Sequence, residues 1–397
     1  MKIKKSLLAA SVLAAVAAAS AGGAFGEEFA EKRVTCSDDR NHFNPRWSID
    51  RSPRCDIRGD RLAFEVRETN PEGKAILRLY MTTKVGKDTE PGCPVGFSDP
   101  VPLSDERTNT TRAQWSPVSG DVLVAQKKIL GYWQIVKIVV GGGEQILTTG
   151  SYHHVNPQWS QDGKFIVFER KERGSPTRIG VICANGCNEI AADTPADGSD
   201  RRFPSFHWNT TGIDPEAPYS VVYEVATGAV TDVASFRFDD LESGAAAGTE
   251  SRVTNDGEAD RFPQYVDDFY LWQRFDLAVA RWQVADRGAA LDAPVRILTA
   301  DLESGAAEAD HISPRVALNN NLKVIYVKDE LPDEFGEGGG PTLYRLIRPE
   351  FENDRPIERR VVGPGASTPQ WSPNGDNIVF QKKVDARWQI FILDSVR

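Results

Sequence analysis

The sequence predicts an all-β chain folded as a seven-bladed β-propeller, with six blades as the alternative, and three observations lead there. A short phrase recurs seven times: a proline or its substitute, an apolar or aromatic residue two positions on, a turn, and a β-rich run ending in an aromatic. It reads Pro45-Arg-Trp47-Ser48, Ala113-Gln-Trp115-Ser116, Pro157-Gln-Trp159-Ser160, Pro204-Ser-Phe206, Pro263-Gln-Tyr265, Pro314-Arg-Val316 and Pro369-Gln-Trp371-Ser372. These anchors stand 68, 44, 47, 59, 51 and 55 residues apart, and a period near fifty in β-rich sequence marks propellers and related arrays. The last repeat ends one strand short, and Lys32-Arg-Val-Thr-Cys36 has the form of the missing strand.

The third repeat shows the grammar of a blade. Trp159-Ser-Gln-Asp-Gly163 is a tight turn with glycine where positive φ is needed. Phe165 to Phe168, Arg178 to Cys183 and Asn188 to Ala191 then read as strands two to four. The seventh repeat copies it through Ser-Pro-Asn-Gly375, Ile378 to Phe380 and Trp388 to Leu393. A strand at Lys32–Cys36 pairing beside Trp388 to Leu393 would close the ring and cover an open sheet edge. Trp47, Trp115, Trp159 and Trp371 hold the repeat position, and Trp133 and Trp388 recur as Trp-Gln-Ile, so all six are expected between blades. Residues 224 to 250 and Asp333 to Gly340 break the pattern and read as long surface loops.

The first 26 residues read as an export signal: Lys2, Lys4 and Lys5 precede a short core of small apolar residues, with cleavage fitting after Ala21 or Gly26. No later run reaches the roughly 20 apolar residues of a membrane span. Residues 27–397 are then expected as one propeller domain in the periplasm or outside the cell. Loss of the signal removes three lysines and no acids and takes the formal charge from -10 to -13. Such a balance disfavours nucleic acid and anionic lipid, and repels polyanionic sugars unless a local basic patch overrides it. In an oxidising compartment Cys183 and Cys187, flanking the turn Ala-Asn-Gly, are expected to bridge. Strand directions place Cys55 and Cys93 on one face of blade one and pair them, leaving Cys36 over.

The phrase Pro369-Gln-Trp-Ser-Pro-Asn-Gly375-Asp-Asn-Ile-Val-Phe380 resembles the repeat of TolB-type β-propellers, also found in the propeller domains of prolyl-oligopeptidase relatives. The likeness is strong in repeats two, three and seven and partial in four, five and six. It implies the propeller architecture and the habit of binding protein partners on loop-lined faces. No counterpart of the separate N-terminal α/β domain of TolB is expected, since the first anchor begins at Pro45.

Three of the five histidines, His42, His154 and His311, stand three residues before the anchors of blades one, three and six; Thr110, Arg201, Asp260 and Ala366 take that place elsewhere. Repeat symmetry predicts that these seven side chains ring the mouth of the central channel. Such a ring could cap the entering strands, hold a ligand or partner side chain, or bind a divalent metal through imidazole nitrogen. Oligogalacturonate lyases, similar to TolB-type proteins, hold metal through axial histidines that include a His-x-His pair; here His153 and His154 are contiguous. No Gly-x-Ser-x-Gly elbow occurs, and the glycine runs Gly141–Gly143 and Gly338–Gly340 lack the lysine of a phosphate loop. The expectation is a monomeric, non-enzymatic scaffold without a required cofactor. It binds an envelope protein or peptide through His42, His154, Arg201, Asp260 and His311. A metal-dependent axial-site enzyme is the alternative.

Overall fold

The second strand of each repeat is its densest apolar run, and burial follows from where that run sits. In blade 3, Phe165–Lys171 is buried from Phe165 through Glu169 without alternation, because a neighbouring blade covers each face of the sheet. The turn feeding it is held by Ser160, whose Oγ accepts the Phe165 amide at 2.9 Å and donates to Asp162 Oδ1 at 2.6 Å. Gly163 follows at φ 71°. A Cβ there would meet Val118 of the preceding blade at 2.6 Å, so this glycine answers both to its φ and to its neighbour.

The computed structural model describes residues 31–35, 40–48, 61–84, 96–187, 189–192, 194–195, 197–212, 219–290, 292–299, 309–330, 339–349, 355–373 and 375–393. Among them every regular element is a strand, and the strands form seven four-stranded antiparallel sheets. The innermost strands of blades 1 to 7 are His42–Trp47, Thr110–Trp115, His153–Trp159, Asp200–Phe206, Ala259–Val266, Asp310–Ala317 and Ala366–Trp371. Seven blades, not six, thus carry the seven anchors.

One apolar core lies at each of the seven blade interfaces. The core between blades 7 and 1 joins Val379, Ile390 and Ile392 to Trp47, Leu62 and Phe64, so the ring is closed. The closing strand is Glu31–Arg33, antiparallel to Arg387–Leu393 with Lys32 opposite Ile392. The anchor tryptophans add a polar link. The indoles of Trp115, Trp159 and Trp371 donate to the carbonyls of Arg46, Gln114 and Arg315, each one blade back.

Residues 224 to 250 are corrected from surface loop to blade: Ser220–Thr227 and Val230–Phe238 pair along their lengths, and Gly248–Arg252 adds the outer strand. Asp232, Ser235 and Arg237 blur the apolar run, yet Val233, Ala234 and Phe236 are fully buried between blades. The Cys183–Cys187 bridge is present, with Cα atoms 5.2 Å apart. The signal segment and Cys36, Cys55 and Cys93 lie outside the described residues. No helix among the described residues is long and apolar enough to cross a membrane.

Candidate functional site

Every innermost strand carries the same irregularity. The residue before each anchor sits in the left-handed region: Asn44, Arg112, Asn156, Phe203, Phe262, Ser313 and Thr368, with φ from 49° to 57°. Register shifts at that point in all seven blades, which makes it a β-bulge. A left-handed non-glycine residue costs about 1 kcal/mol or more, so something must hold it. Six interfaces supply the same holder: a glutamate or glutamine on the second strand of the preceding blade accepts the bulge amide. Gln381, Glu65, Gln126, Glu169, Glu224 and Gln273 take the amides of Asn44, Arg112, Asn156, Phe203, Phe262 and Ser313 at 2.8 to 3.0 Å. Blade 6 has Val327 in that register position, and the Thr368 hydroxyl of blade 7 is buried without a partner among the described residues.

Burial raises the carboxyls of Glu65 and Glu169 and lifts Glu224 to about 7. The bulge amide pulls each of them the other way.

The bulge also redirects the five predicted contact residues. His42, His154, Asp260 and His311 are wholly buried and Arg201 is 2 % exposed. Repeat symmetry holds, since each stands at the same point of its innermost strand. Convergence on the channel mouth does not. Among the described residues no hydrogen bond, ion pair or ring contact joins any two of them.

The histidines instead sit between blades. His154 lies edge-on to Phe168, with Nδ1 3.0 Å from Gln134 Oε1 of blade 2 and Nε2 3.1 Å from Glu189 Oε2. His42 packs on Phe64 beside Gln389 of blade 7, and burial, aided by the charge of Arg40, pushes it down to about 4. His311 packs on Tyr326, and burial with the charge of Lys328 pushes it down to about 3. Arg201 is held by Glu250 at 3.0 Å and Asp197 at 3.2 Å. Asp260 accepts Arg274 Nε at 2.7 Å, its second nitrogen at 2.8 Å and the Trp272 indole at 2.7 Å.

A sequence signal for this arrangement was present but easily missed. Trp133-Gln134, Trp282-Gln283 and Trp388-Gln389 occupy third strands of blades 2, 5 and 7, and in each case the next blade opens on His154, His311 or His42. The same glutamines accept the hydroxyls of Thr148, Thr299 and Thr35. Histidine therefore follows glutamine across the blade interface. Among the described residues no three His, Cys, Asp or Glu side chains are placed together to hold a metal ion.

Above these buried groups, the loops entering the innermost strands share one face with the hairpins between strands two and three. Two of those hairpins expose apolar tips there: Leu130 at 95 % in blade 2 and Leu277 at 66 % in blade 5, with Val279 beside it.

No protein-family model matches the chain. Local sequence matches run to the Tol-Pal system protein TolB of Zymomonas mobilis, 44 % identical over 61 residues, 15 % of this chain and 13 % of the relative. TolB 1 of Novosphingobium aromaticivorans is 36 % identical over 73 residues, 18 % and 16 % of the two chains. The chain thus spans about a seventh of the length of these curated relatives. Among solved structures, an oligogalacturonate lyase in complex with manganese shares the fold at TM-score 0.61 and 12 % identity, covering 93 % of this chain and 98 % of that one. The β-propeller domain of the trilobed protease from Pyrococcus furiosus does so at TM-score 0.57 and 10 % identity, covering 89 % and 95 %. The repeat sequence and the architecture together make this a TolB-like β-propeller.

Proposed function

We propose that the chain is an exported, non-enzymatic scaffold that binds a protein or peptide of the cell envelope on the face where loops enter the innermost strands. The observation that supports this most is the pair of exposed apolar hairpin tips at Leu130 and Leu277, on that face of an otherwise acidic molecule. Exposed leucines beside a ring of loops suit a partner surface, since apolar side chains gain only when water is excluded from them. The matches to Tol-Pal system proteins support the envelope setting and a periplasmic location.

His42, His154, Arg201, Asp260 and His311 serve this face from beneath. Each fixes the first residues of an innermost strand, and so the loop that the partner meets. The scaffold acts as a monomer, because the seventh blade takes its fourth strand from the same chain and not from a second copy.

A pull-down from envelope extract tests the face. The Leu130→Asp/Leu277→Asp protein should lose its partner, while Ile357→Asp, at a 67 % exposed position on the opposite face, keeps it. Loss with Ile357→Asp alone would move the binding surface to the other side of the ring.

A further inference from the structure

The most buried arginines among the described residues are paired with carboxylates. Arg201, Arg274, Arg296 and Arg348 each meet carboxylates within 3.2 Å. Arg46 and Arg315 meet none. They are half-buried, follow the anchor prolines of blades 1 and 6, and donate to the carbonyls of their own prolines, at 3.0 and 3.5 Å. Arg112, on the bulge of blade 2, also has no carboxylate within ion-pair distance among the described residues.

These three come from the innermost strands of three different blades, the strands that surround the shared axis, and their charges act on one another. Burial, then the charges of Arg315 and Arg112, pushes Arg46 down to about 10; burial and then Arg112 lowers Arg315 as well. One carboxylate, Glu65, acts on Arg46, but its oxygens are taken by the Arg112 amide at 2.8 Å and Asn44 Nδ2 at 3.0 Å, and burial favours its neutral form.

A chain of formal charge -10 therefore gathers three guanidinium groups around its axis, none of them in an ion pair among the described residues. Like charges held near one another repel, and a shared anion relieves that repulsion. Planar guanidinium donors match carboxylate, sulfate and phosphate oxygens in forked geometry. The rest of the same ring position is neutral and rich in donors: Gln114, Gln158, Ser205, Gln264 and Gln370. Gln370 uses its Oε1 to accept the Trp47 amide at 3.0 Å, which leaves its NH2 group as a further donor.

We propose that the axial channel binds a compact multivalent oxyanion, of the carboxylate, sulfate or phosphate class, between Arg46, Arg112 and Arg315. The site is independent of the partner face. Its ligand is small, because the bore is bounded by seven innermost strands.

The test is thermal unfolding of the full mature protein at pH 7 and constant ionic strength, with chloride exchanged for sulfate, phosphate or citrate. At 10 mM, at least one of the three should raise the wild-type Tm by about 3 °C or more. Arg46→Gln/Arg315→Gln should lose that rise and, in chloride, melt no lower than wild type, since it sheds repelling charge. Arg112→Gln, at an exposed position, gives a second variant whose rise should shrink if the double variant does not fold. Calorimetric titration of the wild type should give one site per chain. An equal rise in wild type and variants would be general salting and would overturn the proposal, as would no rise with any of the three anions.

Discussion

Deleting Glu31–Thr35 should cost about 3–5 kcal/mol of stability and make the protein self-associate. The segment contributes three kinds of contact to the seventh blade. Val34, 6 % exposed, lies in the core with Trp47, Val379 and Ile390, and burial of one valine is worth about 1.5 kcal/mol or more. The Val34 amide donates to Ile390 O at 2.7 Å, and Thr35 Oγ1 donates to Gln389 Oε1 at 2.7 Å while accepting the Ile390 amide at 3.0 Å. Each such bond adds about 1 kcal/mol. Glu31 also pairs with Lys382 at 2.7 Å, a contact near the surface that adds little. Without the strand, Arg387–Leu393 becomes an open edge that a second chain can pair with. Size-exclusion chromatography and thermal unfolding read both effects. A truncated protein that stays monomeric and melts with the wild type would mean that the ring does not depend on this seam.

Asp260→Ala should be comparably damaging, at about 3–5 kcal/mol, because it strands a buried cation. Arg274 is 5 % exposed at its side chain and gives two of its nitrogens to Asp260. The Trp272 indole, wholly buried, loses its acceptor in the same stroke. Asp256 and Glu258, at 2.7 and 3.2 Å from the guanidinium, remain to soften the loss. Replacing both members, as Asp260→Ala/Arg274→Leu, should recover part of the stability, since the charge and its desolvation leave together. Urea or thermal unfolding of wild type, Asp260→Ala, Arg274→Leu and the double variant closes the cycle. A single variant as stable as wild type would return Asp260 to the pool of exposed contact residues.

Much of the architecture was written in the repeat. Anchors, turn glycines and the four anchor tryptophans between blades followed from spacing, because each is demanded by geometry that recurs blade after blade; Trp133 and Trp388, expected there too, are half-buried and join none of the seven cores. The closing strand followed from the unfinished seventh blade. The direction of His42, His154 and His311 did not. In a regular strand, the third residue before the anchor faces opposite to the anchor proline. The left-handed bulge just before the anchor inserts one residue and turns that side chain back between blades, so that entry residue, proline and the residue two after it are all buried. No residue preference announces the bulge, since asparagine, arginine, phenylalanine, serine and threonine all occupy it. The glutamate and glutamine holders that make it tolerable lie on a different blade, beyond any local pattern. The strand Val230–Phe238 was hidden for a related reason: Asp232 and Ser235 break its apolar run, and only the neighbouring blade shows that the positions are inside.

Polar entry residues are buried at the blade interfaces, and histidine titration followed by nitrogen-edited NMR tests that burial most directly. Burial that depresses an imidazole leaves it neutral while the unfolded chain takes up a proton. Stability from these groups is therefore full above about pH 6.5 and is lost as the pH falls toward 4. His42 and His311 should show no protonation between pH 7.5 and 5. Midpoints near 6.5 for both rings would place them in water at the channel mouth and contradict the arrangement.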